Sequence, residues 1–437
     1  MEGTIIMGRK NHQKGKTRSF SKDSAPEFNR RKKNNASNSS KPVVRAQTGQ
    51  VVVNGYSEQW LRQQFDWVYR KEVMAVGENV QSGSIIEIVT VQGQSMGTGV
   101  YADTSGEQDV VVRRFSEHVE PLNLEFFQKR IQSAVNRRSI EKGTNAWRLI
   151  HSENDDLPGF VVDCWGESIS VTLSCASLKV LLEPFLEALE RIYPYQNAVG
   201  HVRLPHGKQA YLGVLKGAFP DRFVVEELGI QYWVHPQLSK DAGLFLDMRA
   251  LRSWLIQQDW TGKRMLNLFC YTGAFSVSAG VHGAKEVVSV DLSTSYLDRA
   301  RENFRLNSLN VETHQFIDSD TFVALNRFRR KEELFDTVLA DPPSFSHSSH
   351  GTWSVQKDLK RLVIACLRVL KPGGTLIIAT NHGKMPPRDF SKAILDAARK
   401  EKRRLRLMLN YVPGTDFPAA LHFPEARYLK CWVMEAS

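Results

Sequence analysis

The 437-residue chain has little cysteine and no cysteine pattern: Cys164, Cys175, Cys270, Cys366 and Cys431 are widely spaced, and no Cys-x-x-Cys pair occurs. That excludes a zinc ribbon and a disulfide framework, and no metal site is expected; a reducing cytoplasm fits best. No run approaches the roughly eighteen apolar residues of a membrane-crossing helix, so no membrane partner is expected. Residues 1–10 lack the apolar stretch of a secretory signal. No Gly-x-Gly-x-x-Gly follows a strand pattern, which disfavours dinucleotide binding. No internal repeat is found.

What is present is a globular composition with an uneven charge. Hydrophobic residues make up 42% of the chain and the formal net charge is +11. Residues 1–57 carry 12 Lys or Arg against 3 Asp or Glu, so 12 − 3 = +9 of the excess sits there, centred on Arg30-Arg31-Lys32-Lys33. This Asn- and Ser-rich segment cannot bury enough apolar surface to offset ordering, so it reads as a disordered basic tail. It is either a solvating tail or a polycation for RNA phosphates.

Beyond the tail the pattern divides into three regions. Residues 58–119 hold short strands at 84–91, 97–101 and 110–113 with glycine-bearing turns, which suggests a small β-barrel. Residues 120–237 begin with a helix over 124–138, basic on one face. Strands at 146–150, 159–164 and 168–173, a helix at 178–192, and strands at 198–203 and 222–226 follow. This order implies an α+β domain. Residues 238–437 alternate strands with helices of ten or more residues, the mark of a parallel sheet covered on both faces. Lys371-Pro372-Gly373-Gly374 is a helix stop.

In such a sheet, ligands bind beyond the carboxyl ends of the strands. Three strand ends carry chemistry. The first, Asn267 to Phe275, runs a buried strand into a turn at Tyr271-Thr272-Gly273 and then a helix; Gly273 would let a ligand approach the backbone. The second is Asp291, about twenty residues on, placed to accept ribose hydroxyls, or else to serve as a helix cap. The third is Asp341-Pro342-Pro343-Ser344-Phe345. Its prolines fix an extended path, and Phe345 offers a flat face for an extruded base.

Together with Leu244-Phe245-Leu246-Asp247-Met248-Arg249 and Phe423-Pro424-Glu425-Ala426-Arg427-Tyr428, these segments resemble class I methyltransferases that modify bacterial large-subunit ribosomal RNA. Trp67-Val68-Tyr69-Arg70 is similar to that family's PUA-type RNA-binding barrel, and residues 149–163 to its middle domain. The resemblance implies a Rossmann-like class I methyltransferase domain, preceded by an α+β domain and a PUA-like barrel. It implies S-adenosylmethionine as cofactor and 23S rRNA as partner, with a homodimer allowed for. By it, Asp291 binds the ribose, Asp320 lies near the adenine, and Tyr271 and Gly273 line the methionine end. Asn267 and Asp341 complete the cofactor set.

Two chemistries compete within that family. Cytosine C5 is a poor nucleophile and normally needs a Cys thiolate to add to the ring. The family's cytosine-C5 enzymes carry a Cys on the strand end after the Gly-Gly stop. Here that end reads Ala379-Thr380-Asn381-His382-Gly383. Guanine N7 already has an in-plane lone pair and needs positioning only. Residues 354–362 and Asn381 are similar to the guanine-N7 branch, so guanine N7 is the expected target. Asp341 and Asn381 would orient the base and Phe345 would stack on it. The alternatives are a cytosine-C5 enzyme using Cys270 or Cys366, and an inactive RNA-binding assembly factor. The polar loop at 346–351 either closes over the nucleotide or is plain surface.

Overall fold

The computed structural model describes residues 44–102, 109–204, 208–348 and 351–437. Most of the basic tail therefore lies outside the described residues. Its last part does not behave as a tail. Val51 and Val53 are fully buried, and their strand β1 (Gln50–Val53) completes the first sheet.

That sheet follows from short, mostly β-branched runs. Helix α1 (Gly55–Arg62) starts at Asn54, whose side chain accepts the Ser57 N–H at 2.9 Å. Strands β2 (Trp67–Tyr69), β3 (Val73–Val76), β4 (Ile85–Thr90), β5 (Ser95–Tyr101) and β6 (Val110–Ser116) join β1 in the order β2-β6-β5-β4-β1-β3. Trp67 leaves the sheet's own core and packs edge-on against Phe423, with ring centroids 4.9 Å apart. Two segments 356 positions apart (423 − 67) therefore meet in one aromatic cluster.

The middle region opens with α2 (Leu124–Asn136), capped by Asn123. Strands β7 (Ala146–His151), β8 (Phe160–Trp165) and β9 (Ser168–Leu173), helix α3 (Leu182–Ile192), and strands β10 (Asn197–Arg203) and β11 (Gln209–Lys216) follow. They form a five-stranded sheet in the order β11-β10-β9-β8-β7. Phe160, Val162 and Cys164 of β8 join the core under α2 and α3. The period of two turns Val161, Asp163 and Trp165 to the other face.

The hairpin β12 (Phe223–Glu227) and β13 (Ile230–Val234) departs from the expected boundary at residue 237. Tyr232 and Val234 pack in one core with residues of the third region, and Trp233 N–H is bonded to Asn303 Oδ1 at 2.9 Å. The hairpin covers the third region rather than extending the middle sheet.

The third region holds α4 (Arg249–Ile256), β14 (Arg264–Leu268), α5 (Ala274–Val281), β15 (Glu286–Asp291), α6 (Thr294–Leu306), β16 (Gln315–Asp318), α7 (Thr321–Arg330) and β17 (Phe335–Ala340). A hairpin of β18 (Phe345–Ser348) and β19 (Gly351–Ser354) comes next. Then come α8 (Val355–Leu367), β20 (Leu370–Thr380), α9 (Pro387–Lys400), β21 (Leu405–Asn410) and β22 (Lys430–Ala436). Seven strands form one sheet in the order β16-β15-β14-β17-β20-β22-β21. The first five are parallel, and β22 runs antiparallel to both neighbours. Leu266 and Leu268 join the core under α7, α8 and α9, while Met265 joins the core under α4, α5 and α6. A strand buried on both faces reads as a largely apolar run, and β14 is one in which Asn267 is also buried.

Two local expectations change. α8 ends at Leu367, ahead of the Lys371-Pro372-Gly373-Gly374 motif, which lies inside β20, with an irregular register between Phe335 and Thr337 and Gly373 at φ +75°. The polar loop at 346–351 is largely a hairpin, Phe345 pairing with Ser354 and His347 with Thr352. No described helix is long and apolar enough to cross a membrane.

Candidate active site

The chain leaves β14 through a strained turn. Phe269 and Tyr271 hold φ of +58° and +52°, a region that costs a non-glycine residue about 1–3 kcal/mol. The strain is held by bonds to neighbouring elements. Tyr271 N–H donates to Asp291 Oδ2 at 2.9 Å, its hydroxyl accepts the Gly243 N–H at 3.0 Å, and Asn303 Nδ2 holds the Thr272 carbonyl at 3.0 Å. The Tyr271 ring packs between Phe245 and Tyr296, with centroids 5.0 and 4.7 Å away.

Asp291 ends β15. Its second oxygen accepts the Ser293 N–H at 3.0 Å, so one carboxylate ties two strand-end turns together. Burial holds its pKa above the usual carboxylate value, while these backbone bonds pull the other way. A carboxylate has about four lone-pair sites, more than these backbone bonds use, so capacity remains for a ligand's hydroxyl.

Asp341 directly follows β17 and Asn381 directly follows β20, the neighbouring strand. Burial, with the nearby Asp247 carboxylate adding to it, pushes Asp341 up to about 7. No described side chain bonds to its carboxylate. Asp247 is raised too, mainly by burial, and accepts the Tyr428 hydroxyl at 2.6 Å. Ser344 Oγ donates to Asn381 Oδ1 at 3.0 Å, which turns the amide nitrogen away.

These groups surround one cavity of about 330 Å3. Tyr271, Asp291, Asp341, Pro342, Pro343 and Asn381 line it, with Phe245 and Arg252 behind. No described side chain plugs it, and it has the mixed apolar and polar lining of a small-molecule site. Through Phe269, Leu292 and Thr321 it continues into a second hollow of about 480 Å3.

Four expected residues thus meet: Tyr271, Asp291, Asp341 and Asn381. Four others stand elsewhere. Asn267 is fully buried below the turn, its Nδ2 bonded to Ser276 Oγ at 2.8 Å, so it does not reach the cavity. Gly273 does not line the cavity either. A Cβ there would lie 2.8 Å from Ala300 Cβ, so the close approach it permits is that of α6 rather than of a ligand. Asp320 caps α7, accepting the Phe322 and Val323 N–H groups, and lines the adjoining hollow. Phe345 is 56% exposed at the start of β18, outside the cavity lining.

Sequence reasoning gave no role to Gly243, Phe245, Arg252 or Tyr296. The 244–249 motif was the available signal for Phe245; Tyr296 carried none. Of the cysteines, Cys270 lines the cavity, but the residue is only 4% exposed and its thiol is pushed well above its usual pKa by burial and by Asp291. Cys366 is fully buried in the core.

A family model for S-adenosylmethionine-dependent methyltransferases matches residues 205–422, and one for a PUA-like domain matches residues 51–115. The chain is 32% identical over 389 residues to a ribosomal RNA large subunit methyltransferase I of Photobacterium profundum, covering 86% of this chain and 97% of that protein. It is 31% identical over 394 residues to the protein of that name from Aeromonas salmonicida, covering 88% and 98%. A solved structure of SMU.776 complexed with SAH superposes with a TM-score of 0.78 at 25% identity, over 88% of this chain and 99% of that one. None of these relatives is named as a guanine-N7 enzyme, so the expected guanine-N7 branch finds no support among them.

Proposed function

The chain belongs to the family of S-adenosylmethionine-dependent ribosomal RNA large subunit methyltransferases, and from that premise we propose that it methylates a base of large-subunit rRNA presented at the Asp341–Asn381 end of the cavity. The observation that carries the reading is the convergence of Tyr271, Asp291, Asp341 and Asn381, from four strand ends, on one open cavity.

Asp291 would hold the ribose hydroxyls and Asp320, in the adjoining hollow, the adenine. Tyr271, braced by Phe245 and Tyr296, would bound the methionine end. Bound S-adenosylmethionine supplies an electrophilic methyl on a sulfonium. The rest is positioning: Asn381, its oxygen taken by Ser344, offers its NH2 to a base carbonyl. Asp341 sits close to its protonation midpoint at neutral pH and can accept or donate one bond to the base edge. Phe345 would stack on the extruded base from the exposed side.

The acceptor this lining favours is a ring nitrogen that attacks with its own lone pair, guanine N7, because no thiol stands where Asn381 does. In-line placement then supplies most of the rate. A second reading, cytosine C5 through Cys270, fits the relatives better and has one structural support: Cys270 lines the same cavity. Its burial counts against a thiolate.

The test is methyl transfer from labelled S-adenosylmethionine to large-subunit rRNA and to large ribosomal subunits from cells lacking the protein, followed by nucleoside mass spectrometry. Labelled 7-methylguanosine is the expected product. Labelled 5-methylcytidine, with a Cys270-dependent adduct on 5-fluorocytosine RNA, establishes the second reading. No labelled nucleoside overturns both.

A further inference from the structure

The middle domain turns a polar face toward the catalytic domain. Asp163 of β8, Thr172 of β9 and His201 of β10 share the sheet face opposite α2 and α3. Arg148 of β7 joins them, forking onto Asp163, with its guanidinium 4.8 Å from the Phe417 ring centroid. The facing wall is the segment Ala242–Asp247. Between the walls lies a cavity of about 210 Å3.

Two packed domains gain most by filling such a gap with apolar side chains. Here the gap is kept and polar groups line it. The walls are also clamped at a fixed separation. Asp416 accepts the backbone N–H of Arg148 at 3.0 Å from the middle sheet and Arg249 Nη2 at 2.6 Å from α4. The size is informative, since a dry cavity of about 150 Å3 admits benzene, and this one is larger.

Its position decides the occupant. Gly243, Phe245 and Tyr271 line both this cavity and the cofactor cavity. Asp247, on its wall, is the carboxylate that acts on Asp341. The cavity therefore adjoins the cofactor cavity on its Tyr271 side, with Asp247 linking it to Asp341. Both hydrogen-bond senses are present. Asp163 accepts, and Thr172 does either. His201 Nε2 lies 2.9 Å from the Pro236 carbonyl and so carries its proton, leaving Nδ1 as an acceptor.

Resting on the methyltransferase reading above, we infer that this cleft receives an RNA nucleobase, either the extruded target or its immediate neighbour, and that the middle domain reads the substrate at Asp163, Thr172 and His201. The middle domain is then a specificity element of the active site and not a spacer.

The experiment fills the cleft without touching the cofactor cavity. In the full chain, Thr172→Trp is expected to lower methyl transfer to large-subunit rRNA by about a hundredfold, as misplacement of a reacting group does. S-adenosylmethionine affinity by calorimetry and total rRNA affinity by filter binding are expected to stay within about twofold, since phosphate contacts dominate the latter. Thr172→Val, which keeps the shape, covers the case in which the larger residue prevents folding; a several-fold fall in kcat with unchanged cofactor affinity is expected. Wild-type transfer by either folded variant overturns the inference, and so does a parallel loss of cofactor affinity, which would make the cleft part of the cofactor site. An inactive wild-type protein would instead overturn the methyltransferase reading on which the inference rests.

Discussion

Asp291 Oδ2 accepts the backbone N–H of Tyr271 at 2.9 Å, so the residue expected to hold the ribose also holds the turn after the first strand of the sheet. The two roles separate by substitution. Asp291→Ala is expected to weaken S-adenosylmethionine binding by about 1–3 kcal/mol, the cost of stranded polar partners. Asp291→Asn keeps one acceptor oxygen and should lose less. Calorimetry measures both; an unchanged dissociation constant for the alanine variant removes Asp291 from the site.

Asp341 gives a pH signature. Its carboxyl is raised from 3.8 to about 7 in the folded protein, so between those values the folded state binds a proton that the unfolded chain has released. Its contribution to stability is present below pH 3.8 and is lost as pH rises through about 7. Unfolding midpoints of wild type and Asp341→Asn, compared from about pH 4 to about pH 8, should therefore converge toward the acid end. Above about pH 7 the asparagine variant should be relatively more stable. Asp247 shares the titration, so the step belongs to the pair. Parallel pH curves for the two proteins would rule the shift out.

Arg252 and Glu227 form a buried pair that joins α4 to β12. Arg252 Nη2 lies 2.9 Å from Glu227 Oε2 and 2.8 Å from the Phe245 carbonyl, and both charged side chains are almost fully buried. Glu227→Ala leaves a buried guanidinium unpaired and is expected to cost about 3–5 kcal/mol. Because Arg252 also braces Phe245 at the cofactor cavity, cofactor affinity should fall with it. Urea unfolding and calorimetry on one preparation test the pair; a midpoint unchanged from wild type contradicts it.

Gly273→Ala tests the close approach of α5 and α6. The position has φ +75°, and the added Cβ would meet Ala300 Cβ at 2.8 Å. A loss of about 1–3 kcal/mol in stability is expected. Restoring space with Ala300→Gly should recover part of it. If the single variant is as stable as wild type, the contact is not what requires glycine there.

The alternating α/β region, the two carboxylate-bearing strand ends at Asp291 and Asp341, and the Asp-Pro-Pro motif were all legible in the order of residues. Strands such as β14 and β17 are buried on both faces, and runs as largely apolar as theirs read as strand rather than loop. Asn381 was legible for a related reason: it directly follows such a strand. The edge elements were not legible. β21 is exposed along much of its length, with Leu407 49% and Met408 57% exposed, so no alternation marks it. β1 was hidden because its charged and polar surroundings look like the tail.

Packing in three dimensions set the remainder. It buried Asn267 beneath the turn and assigned Gly273 to helix packing, because a side chain's direction depends on which face of the strand or turn it leaves. It also brought the middle sheet's polar face against the Gly243–Asp247 segment. Asp163 and Asp247 are 84 positions apart (247 − 163), and no local spacing encodes a meeting that only the packing of two domains produces.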